Sequence, residues 1–379
     1  MFVGGFATFA MLYGTQPLLP LLSTEFGVSP ASASLSVSAG TAALALMLIP
    51  ASVLSDRIGR EKVMKASLAL SAIIALACAV ISDFAQLLVL RAMLGAALAG
   101  LPAAAMAYLG EEVGTRSQGK AMGLYIAGNA LGGMSGRFIA ALLTDWGSWR
   151  IALLALGVLG LIAAVIFWRS LPRSSHFYPR AASLPRIIDD AKLIWADPGL
   201  PCLFVTALLG MGAFVGAYNY LGFRLLDAPF GLGQSAIGAV FLLYLVGSWA
   251  SAFAGQLSDR HGRRKVQWIM VLIMSAGLAI TLSNSLPILI VGVGVFTFGF
   301  FATHSIASGW VAHRAQERRG LATAIYLTAY YLGASLIGSL SGIAWALGGW
   351  NGLAAGLGLC LLLLMVVALH LRRLAADPA

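Results

Sequence analysis

The chain has 379 residues, 60% of them hydrophobic and only 10% charged, whereas an average soluble domain carries roughly a quarter charged residues. So little charge cannot coat a soluble fold. Twelve membrane spans of about 20 residues would use roughly 240 positions and leave the rest for loops, a division that excludes one or two soluble domains. The net charge of +10 would suit a nucleic-acid partner, but its placement along the chain points to a bilayer instead.

Apolar runs between charged or Pro/Gly-rich breaks predict spans near residues 1–22, 32–54, 63–81, 85–107, 121–144, 150–168, 201–223, 236–257, 266–284, 287–309, 321–344 and 350–371. The first has no basic leader and no small-residue cleavage signal, and it runs through Gln16, Pro17 and Pro20. It therefore reads as a span and not a signal peptide. Of the 24 Lys and Arg, twenty fall on one side of these spans, from Arg57 and Arg60 to Arg372 and Arg373, and only Arg150 and Arg224 on the other. That asymmetry places both termini and the central loop in the cytoplasm and makes the positive charge a matter of topology, with some attraction to anionic lipid. Cys78, Cys202 and Cys360 lie far apart in or beside apolar spans and read as packing residues, with no metal-like spacing.

The long polar stretch of the chain, with Pro172, Pro179, Pro185 and Pro198, separates six spans from six. It divides the chain into an N-terminal bundle (1–168), a cytoplasmic linker (169–200) and a C-terminal bundle (201–379). The amphipathic piece Leu184–Trp195 reads either as a helix on the membrane face or as a plain tether. The halves echo one another. Asp56-Arg57-Ile58-Gly59-Arg60 recurs as Asp259-Arg260-His261-Gly262-Arg263, an offset of 203, and Tyr125 and Leu131-Gly132 recur as Tyr326 and Leu332-Gly333, an offset of 201. Six helices repeated in parallel orientation are the signature of a two-bundle transporter with its site between the bundles. The expected fold is thus an all-α membrane protein of 12 transmembrane helices in two six-helix bundles related by a pseudo-twofold axis.

Gly255 through Arg264 resemble the loop signature of the major facilitator superfamily in full, and Ser52 through Lys62 resemble it less closely. Physically the loop needs Gly59 and Gly262 for a tight turn. It also needs Asp56 and Asp259 at a helix end, where a carboxylate can meet a helix dipole or an arginine. The resemblance implies a conformational latch at Asp56, Arg57, Gly59 and Arg60 and at Asp259, Arg260, Gly262 and Arg263. Glu111 and Glu112 are candidate partners for Arg60, and the alternative is that these charges only set topology. In the fifth span Gly119, Gly128, Gly132 and Gly136 are similar in spacing to the signature of proton-driven antiporters, although Gly133 replaces its Pro and Arg137 its last Gly. Glycines four apart let helix backbones approach, which serves either a seal in one state or plain packing. Tyr13 through Pro20 resemble the opening segment of bacterial drug-efflux and arabinose-efflux-like permeases, and in the family spans one, four, seven and ten line the cavity.

Arg91 and Arg137 lie deep in apolar sequence, where lipid exposure would cost about 2.5–3.5 kcal/mol each. They therefore serve function or snorkel to the outer interface. The resemblance associates Arg91 with proton coupling. All fourteen carboxylates fall in loops or at span ends, so the resemblance alone implies a proton gradient as the energy source. A cavity with arginine and no acid favours neutral or anionic cargo over organic cations. The titrating group is then a span-end acid such as Glu25 or Asp227, or else His304. Tyr13, Gln16, Asn129, Tyr218, Asn219, Tyr244, Tyr326 and Tyr330 supply neutral hydrogen bonds and aromatic faces for a mostly apolar pocket or glue between helices. The chain shows no phosphate-cradling loop, nucleophile elbow or metal spacing, so neither an enzyme nor a cofactor is expected. The expectation is a monomeric multi-pass protein of a bacterial inner membrane that binds small molecules and no nucleic acid. Proton-coupled efflux is the leading reading, and import or exchange of a small organic anion or sugar is the alternative.

Overall fold

The computed structural model describes residues 1–174 and 184–374. Pro179, Arg180 and Asp377 lie outside the described residues, as do the side chains of Arg116 and Arg186. The helices are α1 (Phe2–Tyr13), α2 (Leu19–Phe26), α3 (Pro30–Ile58), α4 (Arg60–Ala77), α5 (Phe84–Leu98), α6 (Gly100–Glu112), α7 (Thr115–Trp146) and α8 (Trp149–Ser170). They continue with α9 (Leu184–Ala196), α10 (Leu200–Leu226), α11 (Gln234–Val240), α12 (Tyr244–His261), α13 (Arg263–Ile280), α14 (Leu286–Arg314) and α15 (Arg319–Arg373). Helix covers all twelve expected spans. Among the described residues, eight helical stretches are long and apolar enough to cross a bilayer by length and composition. One of these, at the C-terminal end, holds two expected spans, because Gly348 and Gly349 leave helical geometry within α15. Helices α4 and α13 have 18 residues each and begin with clustered Lys and Arg, and they fall outside that set of eight.

The first span differs from expectation in being two helices joined by a 3-10 turn at Gln16–Leu18. Pro17 and Pro20 carry no N–H to continue the ladder. Likewise Pro102 cannot donate to the Leu98 carbonyl, and the fourth span divides there into α5 and α6. Helix starts follow their caps: the Ser29 hydroxyl accepts from the Ser32 N–H, and the Asp83 carboxylate from the Gln86 N–H at 2.8 Å.

The chain forms two compact units, one of Met1–Ala182 with Leu232–Phe241, the other of Ser183–Gly231 with Leu242–Ala379. Residues 232–241, assigned by sequence to the second bundle, thus pack with the first unit. There Gln234 donates to the Pro17 carbonyl, the Ser235 N–H donates to Asp145 at 2.7 Å, and Gly238 lies against Ala141. The amphipathic linker helix α9 packs on the second unit. Ile194 is buried in that unit's core, Asp190 accepts from Arg318 at 3.1 Å, and the Trp195 and Phe204 rings lie 5.6 Å apart.

Each unit contains the same glycine seam. In the first, a Cβ at Gly128, Gly132 or Gly136 would lie 2.4 Å from the Phe2 carbonyl, 2.0 Å from the Phe6 carbonyl and 2.5 Å from the Ala10 Cα, so α7 and α1 touch backbone to backbone. In the second, a Cβ at Gly333 of α15 would lie 2.0 Å from the Leu208 carbonyl of α10. One turn further the small residue changes sides, and Gly212 of α10 accommodates Ile337 of α15. The sequence echo of Gly132 and Gly333 is therefore an echo of packing. Gly119 stands outside the seam, with open space around it.

Candidate functional site

The loop motif is assembled in the first unit. Gly59 holds φ at +109° and Gly262 at +86°, values that favour glycine. The turn at Gly59 starts α4 with Arg60 pointing at the ends of α3 and α6. Its Nε and Nη2 donate to the two oxygens of Glu111 at 2.6 and 2.7 Å, and Nη1 meets Asp56 at 2.9 Å. A two-pronged pair on a guanidinium only 8% exposed is worth more than the roughly 0–1 kcal/mol of a solvated pair. Arg57 is exposed. The second copy is differently disposed: Asp259 and Arg260 are exposed, and among the described residues no ion pair joins Asp259, Arg260 or Arg263.

Arg91 and Arg137 are both buried, at 1% and 2% exposure, which removes the snorkelling alternative. Arg91 reaches from α5 to main-chain carbonyls: Nε donates to Ser36 at 2.8 Å, Nη1 to Met11 at 2.9 Å, and Nη2 to Leu12. Met11 and Leu12 belong to the last turn of α1, whose carbonyls lack partners because the helix stops before Pro17. A cation at a helix C-terminus is the favourable end for its charge. Gly40 and Gly95 make room for this crossing, since a Cβ at Gly95 would lie 1.9 Å from the Gly40 carbonyl.

Arg137 stands one residue beyond the seam glycine Gly136. Its Nε donates to Gln16 Oε1 at 2.6 Å and its Nη1 to the Gly133 carbonyl at 2.6 Å. The guanidinium carbon lies 4.2 Å from the Tyr13 ring centre and 5.4 Å from that of Phe241, both within cation–π range. The interruption of the first span thus presents Tyr13 and Gln16 to a charge carried by α7. Asn129 is on the same helix but further toward its start, accommodated by the missing side chain of Gly5.

The second unit gathers the remaining candidates around an aromatic stack. Phe214 of α10 lies 3.9 Å from Phe300 of α14 and within 6 Å of Tyr218, Tyr244, Phe296 and Phe301. The Tyr218 hydroxyl is 2.7 Å from the Thr297 hydroxyl, and Asn219 is buried beside Gly338. At the far end of the stack His304 Nδ1 lies 2.9 Å from the Tyr326 hydroxyl, with the Tyr330 ring 4.7 Å away. A cavity of about 10 Å³ adjoins this pair, lined in part by Thr206 and Thr303.

Sequence reading missed Phe241, Thr206 and Thr303, which carry no motif. It also missed Asp197, whose carboxylate accepts from the Gly199 and Leu200 N–H groups at 2.8 Å and from Arg314 at 2.6 Å. Burial works against that charge, but Arg314 and the two N–H groups hold the Asp197 carboxyl below its usual range. An Asp three residues ahead of an apolar run was the available signal for this cap.

The Major Facilitator Superfamily family model matches residues 1–229 and 223–379. The inner membrane transport protein YnfM of Escherichia coli K12 is 43% identical over 373 residues, covering 98% of this chain and 89% of that protein. The gallate transporter of Pseudomonas putida is 26% identical over 327 residues, covering 86% of this chain and 66% of that protein. Among solved structures, the nucleoside transporter NupG superposes with a TM-score of 0.81 over 98% of both chains at 15% identity, a likeness of fold.

Proposed function

The chain belongs to the major facilitator superfamily, and from that premise we propose that it is a proton-coupled efflux carrier working by alternating access on small neutral or anionic molecules. Membrane transport itself follows from the family: the chain is a transporter and not an enzyme, and carriers of this family need no cofactor. The observation that carries the finer reading is the seam of Gly128, Gly132 and Gly136. These antiporter-like glycines bind α7 to α1 backbone to backbone and bring Arg137 to Gln16 and Tyr13. A guanidinium among neutral acceptors and aromatic faces suits a carboxylate or a polar neutral group and repels organic cations. The network of Asp56, Arg60 and Glu111 is the proposed latch of one end state, with Arg57 and the second copy at Asp259, Arg260 and Arg263 engaging in another. In this reading Arg91 acts by holding the end of α1. We place both termini in the cytoplasm on the charge asymmetry, in a bacterial inner membrane, with the monomer as the working unit.

Cells overproducing the chain should accumulate less of some members of a panel of antibiotics, sugars and aromatic acids, and a proton-dissipating uncoupler should erase the difference. Accumulation unchanged across the panel counts against efflux. A second reading, import or exchange of a small organic anion, is favoured by the likeness to a gallate transporter together with Arg137. Proteoliposomes under an imposed pH gradient separate the two: efflux chemistry runs protons against the cargo, import runs them with it.

A further inference from the structure

Proton coupling needs a group that takes up and releases a proton, and the described carboxylates of the membrane helices stand at helix ends. We infer that His304, hydrogen-bonded to Tyr326 in a half-buried aromatic cage of the second unit, is the proton-binding site of the carrier. This rests on the proton-coupled reading above.

The cage is specific. His304 Nδ1 is 2.9 Å from the Tyr326 hydroxyl. The Phe300 ring is stacked parallel at 6.1 Å, and the Tyr330 ring lies 4.7 Å away. Imidazole is the side chain whose charge changes near neutral pH, and the faces of Phe300 and Tyr330 are the negative surfaces on which an imidazolium rests. The adjoining cavity of about 10 Å³ is close to the size of one water. On it lies Thr303, 2% exposed, whose hydroxyl has no hydrogen-bond partner. His304 itself is only half-buried, and that exposure gives the ring a path for its proton.

The groups facing the ring are otherwise neutral. From α10 these are Thr206, Ala207, Gly210 and Met211; from α15, Tyr326 and Tyr330; from its own helix, Phe300 and Thr303. The Asp197–Arg314 pair sits at the helix ends, ten residues along α14, or about 15 Å away. No fixed charge in the lining clamps the imidazole in one protonation state, so opening and closing of the cage can set it.

Full-length protein labelled with 15N-histidine, in detergent, carries five histidines, and the signal absent from His304→Gln identifies the ring. Expected is that this ring titrates between pH 8.5 and 4.5 and that Tyr326→Phe moves its proton affinity by about fivefold to tenfold, the scale of one hydrogen bond, leaving the other four unmoved. A ring that stays neutral throughout, or that ignores Tyr326→Phe, overturns the assignment. Size-exclusion profiles check that both variants fold. The reading on which the assignment rests is tested separately: efflux from cells that is indifferent to the uncoupler defeats proton coupling, whereas coupled efflux with a His304 that never titrates defeats only this site.

Discussion

Replacing Gly132 by alanine puts a methyl group 2.0 Å from the Phe6 carbonyl oxygen and 2.5 Å from the Phe6 Cα. Both opposing atoms are main chain and cannot rotate aside, so α1 and α7 must part by roughly 1 Å in an interior packed as densely as a crystal. Overpacking of this kind costs about 1–3 kcal/mol, while alanine regains about 1 kcal/mol of helix propensity over glycine. The net expectation is a loss of up to about 2 kcal/mol, on the order of 2–3 °C in the apparent melting midpoint. Gly333→Ala should lose as much, since its methyl would lie 2.0 Å from the Leu208 carbonyl. Gly119→Ala meets nothing within 4 Å and should match or slightly exceed the parent. Melting in detergent followed by tryptophan fluorescence reads all three. If Gly132→Ala melts together with Gly119→Ala, the two helices are not in backbone contact and the seam argument fails.

Two other expectations are independent of the seam. Arg91→Ala strips the donor from the carbonyls of Met11, Leu12 and Ser36 where water cannot replace it, and should destabilise by about 2 kcal/mol or more, with Arg91→Lys intermediate. A melting midpoint for Arg91→Ala equal to that of the parent would show that those bonds do not hold α1. The Asp197 carboxyl is lowered in the folded chain from its ordinary 3.8, so its contribution is complete above that value and is lost as pH falls through the lower folded one. Acid melts should therefore show Asp197→Asn losing less stability than the parent below about pH 4, and parallel acid profiles would refute the role of the cap.

The span pattern, the division into halves and the loop signature were legible in the sequence because each is written in one dimension. Apolar length fixes what can cross a bilayer, and the recurrence of Asp56 through Arg60 at Asp259 through Arg263 marks the repeat. Gly128, Gly132 and Gly136 were readable as a packing series for the same reason, their spacing of four residues placing them on one helix face. What they packed against was not, since nothing in the sequence ties Gly132 to Phe6 or Gly136 to Ala10. Apart from the family resemblance of Arg91, the sequence did not distinguish it from Arg137. Both look like isolated charges in apolar runs, but one binds the carbonyls at the end of α1 and the other lies between Tyr13 and Phe241, because Pro17 breaks the first span at the height where the two arginines reach it. The pairing of His304 with Tyr326, twenty-two residues apart on different helices, and the difference between Arg60, paired with Asp56 and Glu111, and Arg263, which joins no ion pair among the described residues, are likewise decided by which helix ends and faces meet, a matter of three-dimensional packing that local periodicity does not encode.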